Sequence, residues 1–213
     1  MSAVLERIRA VGLVPVVRAT SADEALAAVE AIREGGIPIL EITLTVPGAV
    51  RIIEQLTARL GDAALIGAGT VLDADSAQAC VDAGAKFIVT PALDLPTIER
   101  CLKLNVPICA GALTPTEILT AWKAGANVVK VFPANAVGGA TYLKSVKAPL
   151  PQIELLPTGG VSLTTAADFI KAGAIALGVG ADLCDLAALR RGDAAAITEK
   201  ARQYVAAVAA ARS

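Results

Sequence analysis

One short pattern recurs along this chain: a helical stretch, a glycine, then an apolar strand. It appears as Arg33-Glu34-Gly35-Gly36-Ile37, Val81-Asp82-Ala83-Gly84-Ala85, Trp122-Lys123-Ala124-Gly125-Ala126 and Ile170-Lys171-Ala172-Gly173-Ala174. Glycine just past a helix can take the left-handed backbone that closes it. The runs that follow are continuously apolar rather than alternating, as in strands covered on both faces. Eight are expected, near 13–18, 37–43, 64–69, 87–90, 106–110, 127–132, 153–157 and 174–179. They recur every ~20–27 residues with a helix between them, which reads as parallel βα units. Helix starts carry capping residues: Thr20 or Ser21, Asp73, Thr114 followed by Glu117, and Ser162. No Pro/Ser-rich linker or charge run divides the chain. The expectation is an α/β protein in which residues 1–213 form a single-domain (β/α)8 TIM barrel with an N-terminal helix. An open doubly wound sheet is the alternative, and the lack of G-x-G-x-x-G after the first strand weighs against it.

Composition narrows the function. The chain is 55% hydrophobic but only 3% aromatic, so its apolar mass is Ala, Val, Ile and Leu, suited to β-branched strands under Ala-rich helices. Net charge is −1 and the 19 basic residues are scattered, which argues against a nucleic-acid surface. No apolar run nears the ~18 residues that a membrane span requires. The start, Met1-Ser2-Ala3-Val4-Leu5-Glu6-Arg7-Ile8, has the pattern of an amphipathic helix and not of a signal peptide. Cys80, Cys101, Cys109 and Cys184 form no C-x-x-C pair, and the chain has no histidine, so no metal site is expected. Buried free thiols suit a reducing compartment, and a cytoplasmic location is expected.

Without histidine, proton transfer falls to a carboxylate, a lysine or an ordered water. One lysine stands out, in Asn127-Val128-Val129-Lys130-Val131-Phe132. An ammonium inside a strand that reads as buried is expensive unless a partner or a reaction uses it. Either Lys130 is an amine nucleophile, since desolvation favours the free base, or it snorkels from the strand end to a surface carboxylate.

Barrel active sites sit at the C-terminal strand ends. Side chains alternate along a strand. Val14, Val16 and Arg18 therefore share a face, as do Ile37, Ile39, Glu41 and Thr43, and Val128, Lys130 and Phe132. Arg18, Glu41 and Lys130 converge near one end, either as a catalytic group or as a buried ion network. Lys86 and Glu154 fall at strand beginnings, the face associated with stability. Thr70, after Gly67-Ala68-Gly69, and Thr90-Pro91 end strands 3 and 4. Thr158-Gly159-Gly160 and Gly178-Val179-Gly180-Ala181 end strands 7 and 8, where barrels often bind phosphate on backbone N–H groups. The plainer reading is two tight turns.

With these residues placed, the chain resembles the 2-keto-3-deoxy-6-phosphogluconate / 4-hydroxy-2-oxoglutarate (KDPG/KHG) aldolase family, class I pyruvate-dependent aldolases. The resemblance runs in order through Val16-Val17-Arg18, Leu40-Glu41-Ile42-Thr43-Leu44-Thr45, Gly67-Ala68-Gly69-Thr70-Val71 and Phe87-Ile88-Val89-Thr90-Pro91. It continues through Thr114-Pro115-Thr116-Glu117, Lys130-Val131-Phe132-Pro133-Ala134, Pro157-Thr158-Gly159-Gly160-Val161 and Gly178-Val179-Gly180. It implies Lys130 as the imine-forming lysine and Glu41 as the general acid/base. Arg18 and Thr70 would hold the substrate carboxylate. Thr43, Pro91, Phe132 and Thr158 would line the substrate site, and Gly159, Gly160, Gly180 and Ala181 the phosphate site. It further implies a 2-keto acid substrate, no cofactor and a homotrimer.

Two positions depart from the family pattern. Many members carry arginine where this chain has Thr45, which gives the guanidinium role to Arg18. Serine often follows Gly-Val-Gly, whereas this chain has Ala181. Thr158 resembles the gluconate-type members, since galactonate-type ones usually have valine there. Rival readings are a phosphosugar isomerase, epimerase or synthase without imine chemistry, or a non-catalytic phosphosugar-binding barrel.

Overall fold

The computed structural model describes residues 3–213, so Met1 and Ser2 of the expected N-terminal helix lie outside the described residues. After α1 (Ala3–Val11), strands and helices alternate: β1 (Leu13–Val17), α2 (Ala22–Glu34), β2 (Ile39–Thr43), α3 (Ala49–Leu60), β3 (Leu65–Gly69), α4 (Ala74–Asp82). The order continues with β4 (Ile88–Val89), α5 (Leu95–Lys103), β5 (Ile108–Ala112), α6 (Pro115–Lys123), β6 (Val128–Val131) and α7 (Gly139–Lys147). It closes with β7 (Leu155–Pro157), α8 (Ala166–Lys171), β8 (Leu177–Val179), α9 (Leu186–Arg190) and α10 (Ala194–Arg212). The strand order is β7-β6-β5-β4-β3-β2-β1-β8, and every ladder is parallel. Isolated bridges Leu155↔Ala174 and Thr158↔Gly178 bring β7 to β8 and close the ring. This is the expected (β/α)8 barrel, not the open sheet.

The continuous apolar strands are buried on both faces. Val14, Ile39, Leu65, Phe87, Val89, Cys109, Val128 and Leu156 fill the barrel interior. Their neighbours, such as Leu13, Leu40, Ile66, Ile88, Ile108 and Val129, pack under the helices. Leu5 and Ile8 of α1 join the interior cluster from the N-terminal end. There Arg9 holds Glu154 through two hydrogen bonds, Nε to Oε1 at 2.7 Å and Nη2 to Oε2 at 2.8 Å. Glu154 thus serves the closed end of the barrel, as its position at a strand start predicts. Among the described residues no helix is long and apolar enough to cross a membrane.

Local signals match with informative exceptions. The repeated glycine has φ of +93° at Gly36, +98° at Gly84, +99° at Gly125 and +97° at Gly173, each just past its helix. After α5 the same place is taken by Asn105, φ +54°, the non-glycine residue best suited to it. Ser21 and Asp73 cap α2 and α4, and Thr114 with Glu117 forms a complete capping box on α6. Ser162 does not cap α8. It opens a turn in which its own N–H donates to Thr165 Oγ1 at 2.9 Å, and α8 begins at Ala166. Strands β2 and β5 start later than the apolar runs suggest, each one residue after a proline, Pro38 and Pro107. Neither proline has an N–H for the ladder.

Candidate active site

Strands β2 and β6 stand opposite each other in the ring. On β2 the inward position after Ile39 is Glu41; on β6 the one after Val128 is Lys130. The same alternation that packs the barrel thus aims a carboxylate and an ammonium at its centre, one layer above the apolar filling. Lys130 Nζ lies 3.9 Å from Glu41 Oε1, with side-chain exposures of 3% and 1%. That spacing is too long for a direct hydrogen bond and suits one intervening atom or water. The ammonium also stands 5.3 Å from the centre of the Phe132 ring, within cation–π range. Burial pushes the Glu41 carboxyl above its ordinary range, while Lys130 and Arg18 pull the other way. Neither Glu41 oxygen has a hydrogen-bond partner among the described residues. A buried carboxyl without a partner is costly, and a dry carboxyl of raised proton affinity is suited to carrying a proton.

Glycines make room for these groups. Gly69, paired in register with Thr43, lies under the Glu41 carboxyl: a Cβ there would stand 1.9 Å from Oε1. Gly67 similarly accommodates the Phe87 ring, which a Cβ would approach to 2.3 Å. The Gly-Ala-Gly of β3 is therefore a shaped recess as well as a strand end.

The rim groups are placed as follows. Arg18 stands one residue past β1 and is exposed, so it occupies the rim rather than the interior that alternation suggests. Its guanidinium has no hydrogen-bond or ion-pair partner among the described residues, while its backbone hydrogen-bonds Cys184. Thr43 is fully buried; its hydroxyl donates to Val17 O at 3.1 Å and lies 2.7 Å from Thr45 Oγ1. Thr70 has φ +55°, a strained conformation for a β-branched side chain, directly beyond β3. Pro91 follows β4 and is half-buried.

A cavity of about 580 Å³ opens beside β7 and β8, reaching Arg18 and Phe132. Its wall includes Thr158, Gly159, Gly160, Gly180 and Ala181. Among the described residues no acceptor takes the N–H of Gly160, Gly180 or Ala181. The Thr158 hydroxyl is buried and has no partner. It projects over Gly178, where a Cβ would lie 1.9 Å from Oγ1. Asp182, Cys184 and Asp185 also line this cavity; the sequence marks Cys184 only as a buried free thiol and does not single out the two aspartates. Their local sequence carries no motif. Asp182 accepts from Tyr204 at 2.5 Å, a contact 22 residues away. Burial pushes the Cys184 thiol up to about 11, which leaves it an inert neutral lining group.

The site thus has two compartments: a buried amine–carboxyl pair at the centre and a cavity edged by open N–H groups, with one exposed guanidinium between them. An amine beside a proton carrier can form and hydrolyse an imine, and an adjacent anion site can hold the far end of the same molecule.

Comparison with known proteins agrees. A sequence profile for the KDPG and KHG aldolase family matches residues 4–200. The chain is 39% identical over 172 residues to the 2-dehydro-3-deoxy-6-phosphogalactonate aldolase of Escherichia coli K12, covering 80% of this chain and 83% of that one. It is 31% identical to the KHG/KDPG aldolase of the same organism over 91% of this chain and 90% of that protein. Among solved structures, the KDPG aldolase of Legionella pneumophila, with pyruvate captured at low pH as a covalent carbinolamine intermediate, superposes with a TM-score of 0.87 at 29% identity, covering 94% of this chain and 97% of that one. The chain belongs to the KDPG and KHG aldolase family and is a carbon–carbon lyase built on a (β/α)8 barrel.

Proposed function

We propose that this class I aldolase cleaves 2-keto-3-deoxy-6-phosphogluconate to pyruvate and glyceraldehyde 3-phosphate, with Lys130 forming the imine and Glu41 moving the protons. The observation that carries the assignment is the buried 3.9 Å pair at the barrel mouth. The free amine of Lys130 attacks the C2 ketone, and water leaves to give a protonated imine. Glu41, directly or through a water, takes the proton of the C4 hydroxyl. The C3–C4 bond breaks, its electrons pass into the enamine, and the aldehyde departs. Protonation at C3 and hydrolysis of the imine release pyruvate and restore Lys130. Arg18 and Thr70 hold the C1 carboxylate; Pro91 and Phe132 wall the reacting carbons, with Thr43 behind them. Gly159, Gly160, Gly180 and Ala181 hold the phosphate. No metal or organic cofactor takes part in this scheme.

The choice of the gluconate epimer rests on Thr158, a residue of the cavity wall whose buried hydroxyl has no partner. The galactonate epimer is the second reading, favoured by the 39% identity to the phosphogalactonate aldolase. Kinetics with the two epimers decide between them: a higher kcat/KM for the gluconate form is expected, and Thr158→Val should erode that preference. 4-Hydroxy-2-oxoglutarate, cleaved to pyruvate and glyoxylate, is expected as a weaker substrate. The test of the mechanism is borohydride reduction with pyruvate followed by mass mapping. A reduced pyruvyl group at Lys130 supports it; modification at Lys86, Lys123 or Lys144 with Lys130 untouched rules it out.

The same reading takes residues 1–213 as one domain, a homotrimer as the assembly and the cytoplasm as the compartment. The family resemblance supports the trimer, and the four free, buried cysteines suit a reducing compartment.

A further inference from the structure

We infer that Thr90 is a positioning residue for the imine site, an inference that rests on Lys130 being the imine-forming amine. Thr90 follows β4 and is 1% exposed. Its hydroxyl is used in both directions: it accepts the N–H of Gly111 at 2.8 Å and donates to Ala92 O at 2.8 Å. Gly111, on β5, pairs in register with Lys130. A Cβ at Gly111 would stand 2.3 Å from both Pro91 C and Ala92 N. The Pro91–Ala92 peptide therefore lies directly against β5 beside the residue paired with Lys130, and it can do so only because residue 111 has no side chain. One hydroxyl ties both sides of this contact: β5 through the Gly111 N–H, and the crossing segment through Ala92 O, the carbonyl of the next peptide along.

The consequence is geometric. Attack of an amine on a ketone is sensitive to displacements of an ångström or less. The Pro91–Ala92 peptide lies against the register partner of Lys130, so by this inference the hydroxyl that anchors the chain at Ala92 sets the β5-side boundary for the reacting ketone. Valine at 90 keeps the branched shape but leaves the Gly111 N–H and Ala92 O without their shared partner. Serine keeps the hydroxyl.

Three enzymes separate this role from general support of the fold: wild type, Thr90→Val and Thr90→Ser. Each is measured for kcat and KM with the phosphorylated substrate and for the rate of pyruvate trapping by borohydride at Lys130. Thr90→Val is expected to lose about tenfold or more in kcat and in trapping rate, with KM changed less than about twofold, since the phosphate cavity lies on the other side of the barrel. Thr90→Ser should return both rates to within about twofold of wild type. If Thr90→Val does not fold, Thr90→Ala replaces it, since the space it leaves admits a water to the Gly111 N–H; the same kinetic split is expected. A folded variant lacking the hydroxyl that traps pyruvate at the wild-type rate overturns the inference. So does a serine variant as impaired as valine. If wild type itself is not trapped at Lys130, the imine assignment fails and this role fails with it.

Discussion

Lys130 Nζ and Glu41 Oε1 face each other at 3.9 Å from opposite strands of the barrel, above the apolar filling of its interior. The pair is held by the strand ladders themselves: Glu41 is in register with Gly67 on β3, and Lys130 with Gly111 on β5 and Leu156 on β7. Groups fixed by ladders do not need loops to assemble, so the pair at the centre is preorganised.

Glu41→Gln should separate imine formation from turnover. The amide keeps the volume of the carboxyl but cannot shuttle a proton. Trapping of pyruvate by borohydride is expected to persist, while cleavage falls by about 10²–10⁴. Near wild-type cleavage would assign the base to another group.

Gly69→Ala is expected to behave as a remote disruption of Glu41. The added methyl would occupy the place of the carboxyl, whose Oε1 lies 1.9 Å from that position. The carboxyl must turn aside, and overpacking of this kind costs about 1–3 kcal/mol of stability. Activity should fall far more than the melting temperature, measured on the same preparation. Equal activity in the two proteins would show that the carboxyl can move without consequence.

Acid should loosen the clasp between α9 and the first turn of α2. The Arg190 guanidinium, then Thr20, hold Glu24 down to about 2, against an ordinary value of 4.5. A depressed carboxylate stabilises the folded state above its unfolded value, and that contribution is lost as pH falls from about 4.5 toward 2. The melting temperature of wild type should exceed that of Glu24→Gln at pH 6, and the gap should close through this window. A gap independent of pH would mean that the Arg190–Glu24 contact at 2.6 Å contributes no charge-dependent stability.

Ala181→Ser tests which end of the substrate the β8 loop faces. A regained hydroxyl contact to a charged group is worth about 1.5–3 kcal/mol, or roughly tenfold or more in affinity. The gain in kcat/KM should appear with the phosphorylated six-carbon substrate and be nearly absent with 4-hydroxy-2-oxoglutarate. An equal response from both substrates would remove residue 181 from the phosphate site.

The sequence carries what is local or periodic. Alternation alone aims Glu41 and Lys130 at one point, and the repeated glycine marks four helix ends through its positive φ. Residue 105 broke the pattern only in spelling, because asparagine tolerates the same backbone. Ser162 misled because a turn and a helix cap use the same hydroxyl chemistry. Asp182 escaped notice, and Thr90 was legible only as a strand-end residue, for a different reason. Each acts through partners 21 or 22 residues away, Gly111 for Thr90 and Tyr204 for Asp182, and no local period encodes such a contact. The recesses at Gly67 and Gly69 were equally silent, since a glycine shaped by a side chain on another strand reads like a glycine in a turn.

The join between β7 and β8 gives the ring a weak arc. Seven neighbouring pairs share ladders, whereas this one is held by two isolated bridges, Leu155↔Ala174 and Thr158↔Gly178. Segments with few backbone bonds open at the lowest free energy. Amide protons along this seam should exchange with solvent before those of β2 and β6. The cavity lies along the same seam, so breathing there would widen it while the ladders that hold Glu41 and Lys130 keep their register. Compliance and the amine–carboxyl pair thereby fall on different arcs of one ring, and a change that loosens the first need not disturb the second.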